Sequence, residues 1–237
     1  LFERAGGTNR KCEKIMNYQL IRSKRKTVAI QIKQDGTIQV KAPNRLPLRY
    51  IEQFLRKKQG WIRQHVYQMS QWMEQKQQFS IQPGDNMLLL GKEYPVQLGD
   101  QVCFRENNFY VPKMEFSALQ PRLIQLYREL AQQIILPRVE WYAKKMGLSP
   151  TSVKISSAKK RWGSCSGTNR INFSWRLVMA PLSAVDYVVV HELCHMIEHN
   201  HSANFWKLVS QIVPDYSEQK QQLAELSYRL IQENWGD

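Results

Sequence analysis

Four of the five histidines of this 237-residue chain fall between His191 and His201, and two of them frame a glutamate in the run His191-Glu192-Leu193-Cys194-His195. On a helix, residues four apart return to the same face, about 40° out of register. Both imidazoles can therefore grip one cation. Glu192 lies about a quarter turn from His191, near enough to reach a water on that cation without taking a coordination position. Two ligands and a general base describe metal-assisted hydrolysis.

The spacing is the H-E-x-x-H arrangement of zinc peptidases, and what precedes it supports that reading. Pro181 to Val190 opens with a capping box, Ser183 three residues before Asp186, and then runs strongly apolar. A helix entering the motif from such a run is a buried helix. Histidines and a glutamate buried there cost free energy unless they are paired or coordinated. Catalytic zinc usually takes three protein ligands and leaves a fourth position for water. His201, six residues past His195, is the favoured third ligand: a helix ending near His199, stopped by a left-handed Asn200, would turn the chain back toward the metal. His199 shares a helical face with His195 and competes, and Glu225 is a further option. The metzincin pattern has the same histidine spacing but a glycine where this chain has Glu198, so that superfamily is not matched.

The string HELCHMIEHNHSANFW and the upstream RWGSCSGTNRINFSWRLVMAP resemble the YgjP-like metallopeptidase family, relatives of the SprT and WLM zincins. The stretches RSKRKTVAIQI, DGTIQVKAP and KKQGWI resemble it too, so the likeness spans most of the chain. It implies His191, His195 and His201 as zinc ligands and Glu192 as the base.

At this length the chain can hold one large or two modest domains. Charge is uneven: residues 1–80 carry 17 Lys and Arg against 5 Asp and Glu, while the rest carries 17 against 15. Runs such as Arg22, Lys24, Arg25, Lys26 and Arg56, Lys57, Lys58 are either a solvated face or a surface that tracks phosphates. No apolar run approaches the ~20 residues of a membrane helix, and the first residues contain no signal-peptide apolar stretch. Four widely spaced cysteines, Cys12, Cys103, Cys165 and Cys194, with no C-x-x-C pair, read as reduced thiols of a cytoplasmic protein.

These features predict an α+β protein. A basic, β-rich N-terminal domain with a helix is expected over 1–115, and a zincin-like helical domain with a small sheet beside the active-site helix over 116–237. In the first, Thr27 to Lys33 and Thr37 to Lys41 alternate about an Asp35-Gly36 turn, a helix runs from Pro47 into the low 70s, and short strands fall near Met87–Leu90, Tyr94–Leu98, Val102–Arg105 and Phe109–Val111 with an Asn107-Asn108 turn. In the second, Leu119 to Met146 forms a long helix interrupted at Pro137 and ended by Gly147; Val153–Ser157 and Ile171–Val178 are strands; helices follow at Ala203–Val213 and Ser217–Gln232.

A zinc peptidase acting on unfolded or extended polypeptide is the leading reading, with an extended substrate pairing to the strand beside the cleft. A metal-dependent nucleotide phosphohydrolase, and a nucleic-acid-binding protein with a structural metal, are the alternatives. Arg161, Arg170, Arg176 and Tyr187 are candidates to stabilise an oxyanion. Cys194 reads as a small buried hydrophobe, and basic neighbours of Cys165 would lower its pKa.

Overall fold

The computed structural model describes residues 17–33 and 35–236, which divide into two units between Gln78 and Phe79. The domain division expected from the sequence lies at 115/116. Residues 79–115 belong to the second unit because their apolar side chains Met87, Leu89, Val96, Phe109 and Val111 are buried in the same core as the long helix that follows. The expected α+β class holds.

In the first unit, β1 (Tyr18–Ser23) runs parallel to β3 (Ile38–Pro43), and β2 (Ala29–Ile32) pairs antiparallel on its other side. β2 and β3 are the expected hairpin; β1 was not expected, because Arg22 and Ser23 disguise its alternation. Ile38, Val40 and Ala42 point inward with the period of two that a half-buried strand requires, meeting Ile51, Leu55 and Ile62. Instead of one helix there are two, α1 (Leu48–Lys57) and α2 (Gln59–Gln78), and the break is at Lys58 (φ −99°, ψ 7°). The Arg22 guanidinium donates to the carbonyls of Pro43, Asn44 and Leu46 at 2.8–3.0 Å, so this member of the basic run staples the β3–α1 connection.

The second unit opens with a four-stranded sheet, order β4 (Asn86–Leu89), β5 (Lys92–Leu98), β7 (Asn108–Val111), β6 (Cys103–Arg105). Its β6–β7 turn is built on Glu106 and Asn107, both at positive φ, one residue earlier than expected. α3 (Phe116–Met146) runs unbroken through Pro137 and ends at Gly147, which is left-handed (φ 67°). An internal proline costs a helix about 3 kcal/mol. Here burial outweighs that cost: Leu119, Leu123, Tyr127, Ala131, Ile135 and Val139 form a seam along one face, and the Tyr127 hydroxyl donates to the Leu88 carbonyl at 2.7 Å.

The second sheet of this unit has the order β8 (Ser152–Ser156), β10 (Arg170–Ser174), β9 (Gly163–Cys165). The expected strand Ile171–Val178 stops at Ser174, and Trp175–Met179 forms a 3₁₀ turn whose side chains are all buried. Trp175 packs there against Tyr127 and Trp235. β10 is flanked on both sides, so the outer edges of this sheet belong to β8 and β9, and β9 is the one that packs against α4. α4 (Leu182–Cys194), α5 (Ala203–Ile212) and α6 (Tyr216–Gln232) complete the unit. Among the described residues no helix is long and apolar enough to cross a membrane.

Candidate metal centre

α4 contains Tyr187-Val188-Val189-Val190, a run whose β-branched side chains favour strands over helices. Packing overrides propensity. Ala184, Val185, Tyr187, Val188, Val189, Val190, Leu193 and Cys194 are all buried, against α3, α5, α6 and β9 among others. The expected capping box does not form: Ser183 is exposed, no side chain caps the helix, and Asp186 instead takes the Arg138 guanidinium in a two-pronged ion pair.

The helix ends sooner than expected, at Cys194, and Asn200 is not left-handed. Its last turn tightens, with Met196 and Ile197 N–H groups donating to the carbonyls three residues back. That turn lets the Glu198 carbonyl meet His195 Nδ1 at 3.1 Å, and the following residues bring His201 back over the helix. His195 Nε2 lies 3.2 Å and His201 Nε2 3.1 Å from His191 Nε2. Among the described residues these three are the cluster able to share a metal ion. His199 and Glu225, the competing third ligands, are exposed and outside it.

The opposite ring nitrogens fix how the imidazoles point. His195 Nδ1–H donates to the Glu198 carbonyl, which leaves the Nε2 lone pair facing the cluster. His191 Nδ1 meets the Tyr187 hydroxyl at 3.4 Å, a contact in which either atom can donate and which holds the ring's orientation. Phe205, fully buried at the start of α5, stacks on His195, and Trp206 stacks on His201. Phe205 is core, and both also brace the imidazoles, a role that required knowing which face of α5 met the cluster. Burial, then the neighbouring His195, His201 and Lys220, depress His191 to a pKa of about 3. Burial is also the main reason that His195 is lowered. Neutral imidazoles are the form that binds a metal.

Glu192 is 5% exposed. Burial raises its pKa from 4.5 to about 7, opposed by the Arg161 charge and by a hydrogen bond from the Cys165 backbone N–H. A cleft of about 380 Å³ opens beside it, lined among others by Arg161, Trp162, Gly163, Tyr187, His191 and Lys220. Of the oxyanion candidates, Arg161 and Tyr187 line this cleft. Arg170 does not, and Arg176 is buried over Trp175, reaching the Ser157 and Trp235 carbonyls. Lys220 and Gly163 were missed: one lies far along the chain, and the other carries no side chain to notice. The expected activation of Cys165 is reversed, since burial and then Glu192 raise its pKa. Cys194 is a fully buried thiol pushed up to about 11. Cys103, Cys165 and Cys194 are unbridged, and Cys12 lies outside the described residues.

Three imidazoles able to hold one metal ion, with a carboxylate beside them, are the donor set that metal-dependent hydrolases use. The chain belongs to the YgjP-like family, whose description, "YgjP-like, metallopeptidase domain", matches residues 26–226. No curated protein and no solved structure matches it. Membership of a metallopeptidase family implies a metal cofactor.

The buried glutamate has a measurable consequence for the metal-free protein. Its folded pKa, about 7, lies above the ordinary 4.5, so the folded state favours the protonated form and loses stability as pH rises through that window. Glu192→Gln removes the charge. Metal-free Glu192→Gln should melt above metal-free wild type at pH 8, and the gain should vanish once the pH falls below the ordinary carboxyl value of 4.5. A gain of equal size at both pH values would show that Glu192 is not the cause.

Proposed function

We propose that the protein is a zinc peptidase in which His191, His195 and His201 hold the metal and Glu192 is the general base. The observation that carries this reading is the convergence of three Nε2 atoms. Two nitrogens each about 2.0–2.1 Å from one tetrahedral zinc stand roughly 3.3 Å apart. The two separations here are 3.2 and 3.1 Å. Bound zinc would supply Lewis acidity toward a carbonyl and toward water. Glu192 takes the proton from the attacking water and passes it to the leaving amine. Tyr187 and the Glu198 carbonyl keep the rings oriented, and Arg161 is placed to meet developing negative charge in the cleft.

The substrate is read as an extended or unfolded polypeptide. Trp162 accepts from β10 and Ser166 donates to it, so by the alternation of an antiparallel ladder the Gly163 peptide groups and the Cys165 carbonyl point off the outer edge of β9, while the Cys165 N–H is taken by Glu192. An extended chain can add to such an edge, whereas the flanked β10 offers no free groups. A phosphohydrolase reading is favoured by one observation, the two cations Arg161 and Lys220 in the cleft. Assaying the zinc-loaded protein against a casein-like unfolded chain, the same chain folded, and a nucleoside triphosphate panel decides between them. Cleavage of the unfolded chain is expected; hydrolysis of triphosphates alone would overturn the peptidase.

The N-terminal unit is read as a polyanion-binding face within a cytoplasmic protein. Lys24, Lys26, Arg56, Lys57 and Lys58 are exposed, while Arg22 is occupied by carbonyls. Binding to heparin or single-stranded DNA should fall by orders of magnitude between 50 and 200 mM salt, as counterion release requires. Replacing Lys57 and Lys58 by Gln should weaken it and flatten the salt dependence. No binding at low salt would leave those charges as a solvated surface.

A further inference from the structure

We infer that Gly163 of β9 is the positioning residue for Glu192: by carrying no side chain it makes the space in which the carboxylate is seated. This inference deepens the peptidase reading and rests on it. A Cβ built at Gly163 would lie 2.5 Å from Glu192 Oε1, 2.6 Å from its Cγ and 2.8 Å from its Cδ. Contacts under 3.0 Å are closer than real Cβ atoms approach, so something must move. Nothing in the turn requires glycine there, since Gly163 has no positive φ. The requirement comes from the glutamate across the gap.

Geometry determines what would move. All three contacts are to side-chain atoms of Glu192, and none is to backbone. A methyl at position 163 therefore displaces the carboxylate before it displaces α4 or the imidazoles, which lie on other faces of the helix or beyond it. The strand is also tied to the same carboxylate two residues later, where the outward Cys165 N–H donates to it. An empty position and a donor at alternate residues of one strand edge hold the carboxylate from two points. A residue that must accept a proton within hydrogen-bond reach of a water tolerates little displacement. A shift of about 1 Å can cost on the order of 10²-fold in rate.

Gly163→Ala should therefore keep its zinc and lower kcat by about 10²-fold with KM little changed. Gly167, in the neighbouring turn, would place a Cβ within 4 Å of nothing, so Gly167→Ala is the control and should keep full activity. A loss of zinc, or a fall confined to KM, in Gly163→Ala would overturn the assignment. Should that variant fold poorly, thermal unfolding of metal-free protein reads the same contact. Gly163→Ala should lower Tm in the wild-type background and have little effect in a Glu192→Ala background, where the colliding atoms are gone. An equal penalty in both backgrounds overturns the seat alone. A wild type that cleaves no unfolded chain overturns the peptidase reading on which the seat depends, whatever the thermal cycle gives.

Discussion

Glu192→Gln is expected to bind zinc as wild type does and to lose about 10²–10⁴-fold in kcat, the range that a positioned general base contributes. The two halves of that result follow from different parts of the site. In the proposed assignment metal binding rests on the imidazoles of His191, His195 and His201, which gather without the help of Glu192. Proton transfer rests on a carboxylate that glutamine cannot replace. The substitution is nearly isosteric, so the pocket against Gly163 stays filled and the Cys165 N–H keeps an acceptor. Metal analysis beside a turnover assay checks both halves. Retained activity would remove Glu192 from the chemistry, and lost zinc would make it a ligand.

His195→Ala or His201→Ala is expected to remove most bound zinc, and peptidase activity with it. Three nitrogens at one point form an open catalytic site, and two do not hold zinc against dilution. The ring of His195 is also fixed by the Glu198 carbonyl and by Phe205, so its removal leaves that oxygen without a donor. His199→Ala, by contrast, should change little, because its side chain is exposed and outside the cluster. Full zinc after His201→Ala would transfer the third position to a different group.

The motif on α4 was legible because it is local. Spacing along one helix places His191, Glu192 and His195, and the apolar run before them announces burial. His201 was reachable by its distance along the chain, but the turn that returns it was misjudged: the helix stops at Cys194, where the last turn closes on itself. The parts that escaped are those made by sequence-distant pairs. Gly163 meets Glu192 across 29 positions, Lys220 enters the cleft from α6, and β4 to β7 lend their apolar side chains to the core of α3. The strand expected over Ile171–Val178 fails at Ser174 because Trp175 turns inward onto Tyr127, a contact with a partner 48 positions away.

The valine-rich helix that carries the site also shapes how the chain misbehaves. Tyr187 to Val190 is uncharged, contains no proline and has the composition of segments that stack into cross-β assemblies when exposed. In the native state every one of these residues is buried, so the hazard is confined to partly unfolded molecules. Anything that loosens α4 uncovers this stretch. The same helix that concentrates the candidate site is thus the stretch where exposure on unfolding would favour aggregation.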